Sequence, residues 1–304
     1  MSCPIERPRA SSHGAGNADS GGASGGFSTP KGSVSHQSLS YLTADRLYRI
    51  SQSMSDLDWQ LLGFLHESRF ATGHQLVRCF WQTHDGRSSQ ARAARRTLRR
   101  LTDWRVLETL PRRIGGIRTG SDGIVYQLGR AGVRLLAARG THGPRVETPG
   151  TLHLAHTLAT TELALRLREA DRTGELELIE VQQEPVCWRS YPAALGVQRV
   201  LKPDLFARTG AGTQEDRWMI EVDLGSESGR TIARKLAVYV QHYRSASEQR
   251  QHGVYPRVLW TVPDERRAEQ ITEILDRQPA ETLHLFSVCQ FDQAVAIMAA
   301  EARI

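Results

Sequence analysis

Leu201-Lys202-Pro203-Asp204-Leu205-Phe206, then Trp218-Met219-Ile220-Glu221-Val222-Asp223, then Arg234-Lys235-Leu236-Ala237-Val238-Tyr239, decide how this chain is read. The first two stretches are short and apolar-rich, which suits strands, and alternation places Glu221 and Asp223 on the same face. The third has helical spacing: Ile232, Leu236, Tyr239 and Tyr243 form one stripe, and Lys235 lies among them. A lysine turned inward needs a partner, because an unpaired ammonium away from water is costly. The carboxylates of the neighbouring strands are the partners at hand. Glu162 repeats the pattern in the stripe of Ala155, Leu158, Ala159 and Leu165.

Glu162, Asp204, Glu221 and Lys235 are therefore the candidate catalytic residues of one convergent site, with Asp204, Glu221 and Asp223 as candidate metal ligands. One reading is metal and phosphate chemistry. A bound Mg²⁺ neutralises developing charge and lowers the pKa of an attacking water, and it takes one or two protein carboxylates. The backbone carbonyl of Val222 would add an oxygen. The other reading is a buried structural network of ion pairs. Asp223 stays open between a further ligand, a partner of Lys235 and an inactivating substitution. Glu184 and Glu227 are acids that could approach such a metal. His153 and His156 read as helix-surface or packing histidines, and Trp188 and Trp218 as core.

Around these stretches the second half reads as a helix over 151–170 and strands near 176–184, 200–208 and 217–223. A helix over 230–245, a strand over 257–262 and a helix over 264–277 follow. A strand over 282–288 and a helix over 292–302 close it. That order predicts one mixed sheet flanked by helices.

The first half reads differently. Residues 1–50 are a tail whose first forty positions are rich in Ser and Gly and too poor in large apolar groups to offset ordering entropy. Ser55-Asp56-Leu57-Asp58 is a helix start with a capping carboxylate, and Trp59, Leu61, Leu62 and Leu65 follow at helical spacing. Thr72 caps a second helix whose apolar side is Leu76, Val77 and Phe80. Ser88 or Ser89 opens a third, which runs to Trp104. Val106–Leu110 and Ile124–Leu128 flank a loop bearing Gly and Arg, the pattern of a hairpin, and a short helix over 131–139 follows. Three helices and a hairpin over 51–139 make a winged helix-turn-helix. Gly140, Gly143, Pro144, Pro149 and Gly150 mark 140–150 as a linker to a second domain over 151–304.

Charge divides along the same line. Residues 1–149 carry 21 Lys and Arg against 11 Asp and Glu, whereas residues 150–304 carry 18 against 22. On the third helix Arg92, Arg95, Arg96, Arg99 and Arg100 cluster on one side, opposite Ala94, Leu98 and Leu101. The wing loop adds Arg112, Arg113 and Arg118. Guanidinium forks suit phosphates and guanine edges, so these eight arginines are candidate contacts to double-stranded DNA. About six to ten phosphate contacts would weaken binding roughly 10³–10⁵-fold between about 50 and 200 mM salt. A solvated helix face that binds nothing is the competing reading.

Cys3, Cys79, Cys187 and Cys289 are too far apart for a zinc motif and read as reduced thiols. No apolar run reaches the roughly 18 residues of a membrane span, and the start of the sequence has no apolar signal segment. A cytoplasmic protein without a membrane partner is expected.

The chain resembles the replication-relaxation family of actinobacterial plasmids and mobile elements. The resemblance rests on LDWQLLGFLHESRFATGHQL, RRTLRRLTDWRVLETL, VYQLGRAGVRLL, HTLATTELALRLREA, LKPDLF, WMIEVDLGSES and RKLAVYVQHY, in that order over about residues 55–245. It implies a role in replication or relaxation of such elements and says little of mechanism. The second half is also similar to the PD-(D/E)XK nuclease superfamily, which implies a restriction-endonuclease-like fold and, where active, Mg²⁺. Glu162 matches the helix acid, Asp204 the PD aspartate and Glu221 the first position of ExK. Asp223 stands where the lysine is expected, and Lys235 is placed as a migrated one. Two functions follow as expectations. The first is a DNA-binding protein that grips duplex DNA through its arginines, with pairing of two copies left open. The second is a Mg²⁺-dependent endonuclease or nickase.

Overall fold

The computed structural model describes residues 42–82, 86–110, 123–141, 149–193, 197–211 and 214–301. Residues 1–41 of the tail expected over 1–50, Arg112, Arg113 and Arg118 of the expected wing, and most of the expected linker lie outside them. The last residues of that expected tail are not a tail but part of a helix over Ala44–Ser53, started by the Thr43 cap.

Local capping chemistry sets the first helices. Thr43 accepts from the backbone of Arg46 to start α1 (Ala44–Ser53). Ser55 and Asp58 form a reciprocal capping box at α2 (Asp56–Ser68), and Thr72 and Gln75 form another where the short β1 (Ala71–Thr72) enters α3 (Gly73–Phe80). The arginine-bearing helix α4 (Arg87–Asp103) starts at Gly86, one or two residues before the expected serines. Next come β2 (Leu107–Thr109), β3 (Val125–Leu128) and α5 (Arg130–Ala137). β3 pairs antiparallel with both β2 and β1, giving a small sheet in the order β1-β3-β2. Leu61, Leu62, Leu65, Leu76, Leu98 and Leu101 fill the core beneath it. Gly132 at the start of α5 packs so closely on the strand entry that an added Cβ would lie 2.3 Å from the carbonyl oxygen of Val106.

The second half is built on α6 (Thr151–Thr173), whose end is a left-handed Gly174. It continues through β4 (Glu177–Gln183), the ribbon β5 (Arg189–Pro192) and β6 (Gln198–Leu201), then β7 (Leu205–Ala211) and β8 (Gln214–Val222). After these come α7 (Gly229–Arg244), α8 (Ser247–His252), β9 (Arg257–Val262), α9 (Glu265–Leu275), β10 (Phe286–Gln290) and α10 (Ala294–Glu301). Five strands form one mixed sheet in the order β10-β9-β8-β7-β4, with β4, β7 and β8 antiparallel and β8, β9 and β10 parallel. One face buries Leu205, Ala207, Trp218 and Ile220 against α6 and α10, and the other buries Phe206, Met219, Val258 and Trp260 against α7 and α9. The mixed sheet flanked by helices is the arrangement the element order predicted.

Two strand readings need correction. The strand expected over 200–208 is two strands, because Pro203 has no N–H to give a ladder and breaks the run between β6 and β7. The strand expected over 282–288 begins as a 3₁₀ turn over Ala280–Leu285, and extended chain starts only at Phe286.

The two halves share a core of their own. Phe70, Leu110 and Val125 from the first half pack with Leu154 and Leu158 of α6. The Thr161 hydroxyl donates to the Phe70 carbonyl at 3.2 Å, and the Gln75 amide donates to the Leu158 carbonyl at 3.1 Å. No described helix is long and apolar enough to cross a membrane.

Candidate functional site

Asp204 sits just before β7, at the end of the sheet where both helical layers meet. One of its oxygens accepts the Val222 backbone N–H at 2.7 Å, and the other lies 3.0 Å from Nε2 of His156 on α6. Glu221, near the end of β8, points into the opposite layer. It is 2 % exposed, accepts from Nζ of Lys235 at 3.0 Å and from the hydroxyl of Tyr239 at 2.6 Å. Lys235 and Tyr239 stand one turn apart on α7, so both reach the same carboxylate. Lys235 also meets Glu227 at 3.0 Å.

The electrostatics follow from this crowding. Burial, with the charge of Asp204, pushes Glu221 up to about 7, against the pull of Lys235 and Tyr239. Burial alone would lower Lys235, but Glu221, Asp204 and Glu227 outweigh it and hold the ammonium protonated. The Asp204 hydrogen bond raises His156 above its ordinary value, although burial and Lys235 oppose it.

Asp204, Glu221 and Lys235 are thus brought together, and Glu162 and Asp223 are held elsewhere. The Glu162 carboxylate accepts from Arg78 at 2.7 Å, Gln75 at 3.2 Å and Arg166 at 3.2 Å, so it faces the first half and not the sheet end. Asp223 turns to the α7/α9 side as alternation requires, but meets α9: Arg267 donates to it at 2.8 and 3.3 Å. The Gly225 N–H caps the same carboxylate. The readings of Asp223 as a partner of Lys235 or as a ligand give way to this pair.

Sequence reasoning missed His156 and Tyr239 as members of this network and Arg267 as the partner of Asp223, and it named Glu227 only as an acid that could approach a metal. Tyr239 could have been found, since it shares the stripe of Lys235. His156 and Arg267 gave no signal beyond being polar residues on helices.

These side chains do not fit a metal. Mg²⁺ needs carboxylate oxygens that can face it, whereas Asp204 is engaged by His156 and Val222, Glu221 by Lys235 and Tyr239, and Asp223 by Arg267. Among the described residues no group of three or more His, Cys, Asp or Glu side chains is arranged to hold one.

The second candidate is the face of α4. Ala94, Leu98 and Leu101 are buried in the core, while Arg92, Arg95, Arg96 and Arg99 are exposed. Arg100 differs from them: its guanidinium lies 2.5 Å from the wholly buried carboxylate of Asp58 and 5.1 Å from the centre of the Trp104 ring. Arg95, Arg96, Arg99 and Arg100 line a shallow cleft of about 370 Å³ with Asp103 and Trp104. Four guanidinium groups on one exposed face give a positive surface with few internal claims on it.

No curated protein matches the sequence. The family model described as "Replication-relaxation" matches residues 62–258, a span that takes in α4, α6, Asp204, Glu221 and Lys235. The chain belongs to the replication-relaxation family.

Proposed function

We propose that this is a DNA-binding protein acting in replication or relaxation of a plasmid or related mobile element. In this reading the first half is a winged helix and α4 its recognition helix, with Arg92, Arg95, Arg96 and Arg99 on duplex phosphates and base edges and Arg112, Arg113 and Arg118 on the wing. The carrying observation is the exposed arginine face of α4 opposite a fully buried apolar face. Seven such contacts would give binding that falls steeply with salt.

Fluorescence anisotropy with a labelled 30-base-pair duplex tests it. R92Q/R95Q/R96Q/R99Q should weaken binding at least on the order of 100-fold near 0.1 M salt and flatten the salt dependence. A wild-type chain that binds no duplex, or a quadruple variant that binds as well as wild type, overturns the reading.

The second reading is a Mg²⁺-dependent nuclease or nickase, supported by the convergence of Lys235 with Glu221 beside Asp204. The occupied carboxylates speak against it, so it is the second reading. Supercoiled plasmid with and without Mg²⁺ separates the two: cleavage that vanishes in Asp204→Ala would establish the nuclease, and an intact plasmid would leave the binder.

A further inference from the structure

The ribbon β5–β6 is inserted between two neighbouring strands of the main sheet and belongs to neither. Its composition departs from its surroundings. Residues 186–202 carry Arg189, Arg199 and Lys202 and not one Asp or Glu, within a half where acids outnumber bases. Val186, Val197 and Val200 are exposed at 62, 56 and 43 %, and Arg199 is exposed beside them.

Register puts Arg199 directly across from Tyr191, so both face α7. Between ribbon and helix lies a groove of about 660 Å³ lined by Tyr191, Pro192, Val197, Arg199, Gln241 and Arg244 among others, and among the described residues that line it none is a carboxylate. Arg199 gives one N–H to Gln241 at 2.6 Å and Arg244 gives one to Glu281 at 2.7 Å. Each fork keeps further donors. Tyr191 is 99 % buried, yet its hydroxyl has no hydrogen-bond partner among the described residues, an arrangement that costs free energy unless something meets it. The ribbon is anchored next to the buried charge cluster: the Cys187 thiol donates to the Pro203 carbonyl at 3.0 Å, one residue before Asp204.

We infer that the ribbon and the end of α7 form a second nucleic-acid contact, in which Arg199 and Arg244 flank one backbone phosphate in this groove. Two guanidinium groups, a buried hydroxyl donor and an apolar wall suit a phosphodiester with its sugar. An acid-free two-stranded ribbon with exposed valines along it is of the kind that lies along a duplex groove. The inference rests on the DNA-binding reading and extends its footprint from the first half to the second.

Arginine modification by phenylglyoxal, read by mass spectrometry on the full wild-type chain, tests it without any variant. A 30-base-pair duplex at saturation should slow modification of Arg199 and Arg244 several-fold, along with the α4 arginines, whereas polyglutamate at equal charge should not. Protection of the α4 arginines alone overturns the ribbon contact and leaves the DNA-binding reading standing. Protection of none overturns both, and equal protection by polyglutamate marks the groove as an acidic-protein site instead. R199Q/R244Q should also weaken duplex binding on the order of tenfold near 0.1 M salt and reduce the log–log salt slope by about 1, as loss of one phosphate contact requires. R199K/R244K, which keeps the charge, should bind within about threefold of wild type; a variant pair that behaves alike sinks the phosphate assignment.

Discussion

Arg78 on α3 lies 2.7 Å from Glu162 on α6, and the same guanidinium also bonds Glu169 two turns further along. This fork joins the helix that precedes the arginine face to the helix that underlies the mixed sheet. Arg78→Ala would leave two half-buried carboxylates facing each other's former partner, which costs about 1–3 kcal/mol. The deficit has a pH signature. Burial raises Glu162, but Arg78, Gln75 and Arg166 overcome it and hold the carboxyl below its ordinary value of 4.5. A depressed carboxyl stabilises the fold above its unfolded pKa and loses that contribution as pH falls through the folded one. The gap between wild type and Arg78→Ala in denaturant melts should therefore be widest near neutral pH and narrow as pH falls below the ordinary carboxyl value of 4.5. A gap that does not change with pH would remove Glu162 from the account.

Arg100 and its neighbours on α4 should separate cleanly. Asp58 caps α2 through Ser55 and pairs with Arg100 while wholly buried. Arg100→Ala leaves that carboxylate without its cation and is expected to cost about 3 kcal/mol of stability. Arg92→Gln, Arg95→Gln, Arg96→Gln and Arg99→Gln alter exposed groups and should each stay within about 0.5 kcal/mol. Thermal melts read the first difference and duplex binding at low salt reads the second. Equal stability losses at Arg96 and Arg100 would contradict the geometry.

Much of this was legible in the sequence, because it is local. The caps at Ser55 and Thr72, the inward Lys235 and the strand that carries Glu221 follow from spacing alone, and the structure places them so. The failures are tertiary. A helical stripe says that Glu162 turns inward, but α6 has two inward neighbours, and the carboxylate chose α3 over the sheet end. Strand alternation gave the face of Asp223, but α7 and α9 both cover that face, and Arg267 on the second helix claims it. The ribbon β5–β6 escaped because Pro203 interrupts what reads as one continuous strand, and because no paired turn residues announce it.

Glu221 predicts a titration inside the core. Its carboxyl is pushed up to about 7 by burial and by Asp204. A carboxyl raised above its unfolded value of 4.5 favours the fold while protonated, and stability falls as pH rises from about 4.5 to 7. At about 1.4 kcal/mol per unit, the loss is on the order of 3 kcal/mol. Glu221→Gln should flatten that part of the stability profile, whereas Lys235→Met, which removes the cation, should extend the loss above pH 7. A difference curve between wild type and Glu221→Gln that is level from pH 4.5 to 7 would mean that Glu221 is ionised throughout.

His242 should impose the opposite slope. It is wholly buried on α7, with Nδ1 3.0 Å from the Tyr255 hydroxyl, its ring packed edge-on against Tyr191, and Nε2 without a partner among the described residues. Burial, reinforced by the charge of Arg189, lowers the imidazole to about 4. A base whose folded pKa is depressed stabilises the fold while neutral. That contribution is complete above the unfolded value of 6.5 and is lost as pH falls toward 4. The loss reaches about 3 kcal/mol, comparable to the Glu221 effect and opposite in sign over a partly shared window. The two groups therefore mask one another in wild type, and each shows only when the other is removed. His242→Phe should keep the ring packing, sacrifice one hydrogen bond at a cost of about 1 kcal/mol, and lose the acid-side decline. In Glu221→Gln, where His242 titrates alone, stability should drop visibly between pH 6.5 and 4. If Glu221→Gln and Glu221→Gln/His242→Phe show the same slope there, the acid sensitivity belongs to other groups and His242 is not held neutral by its burial.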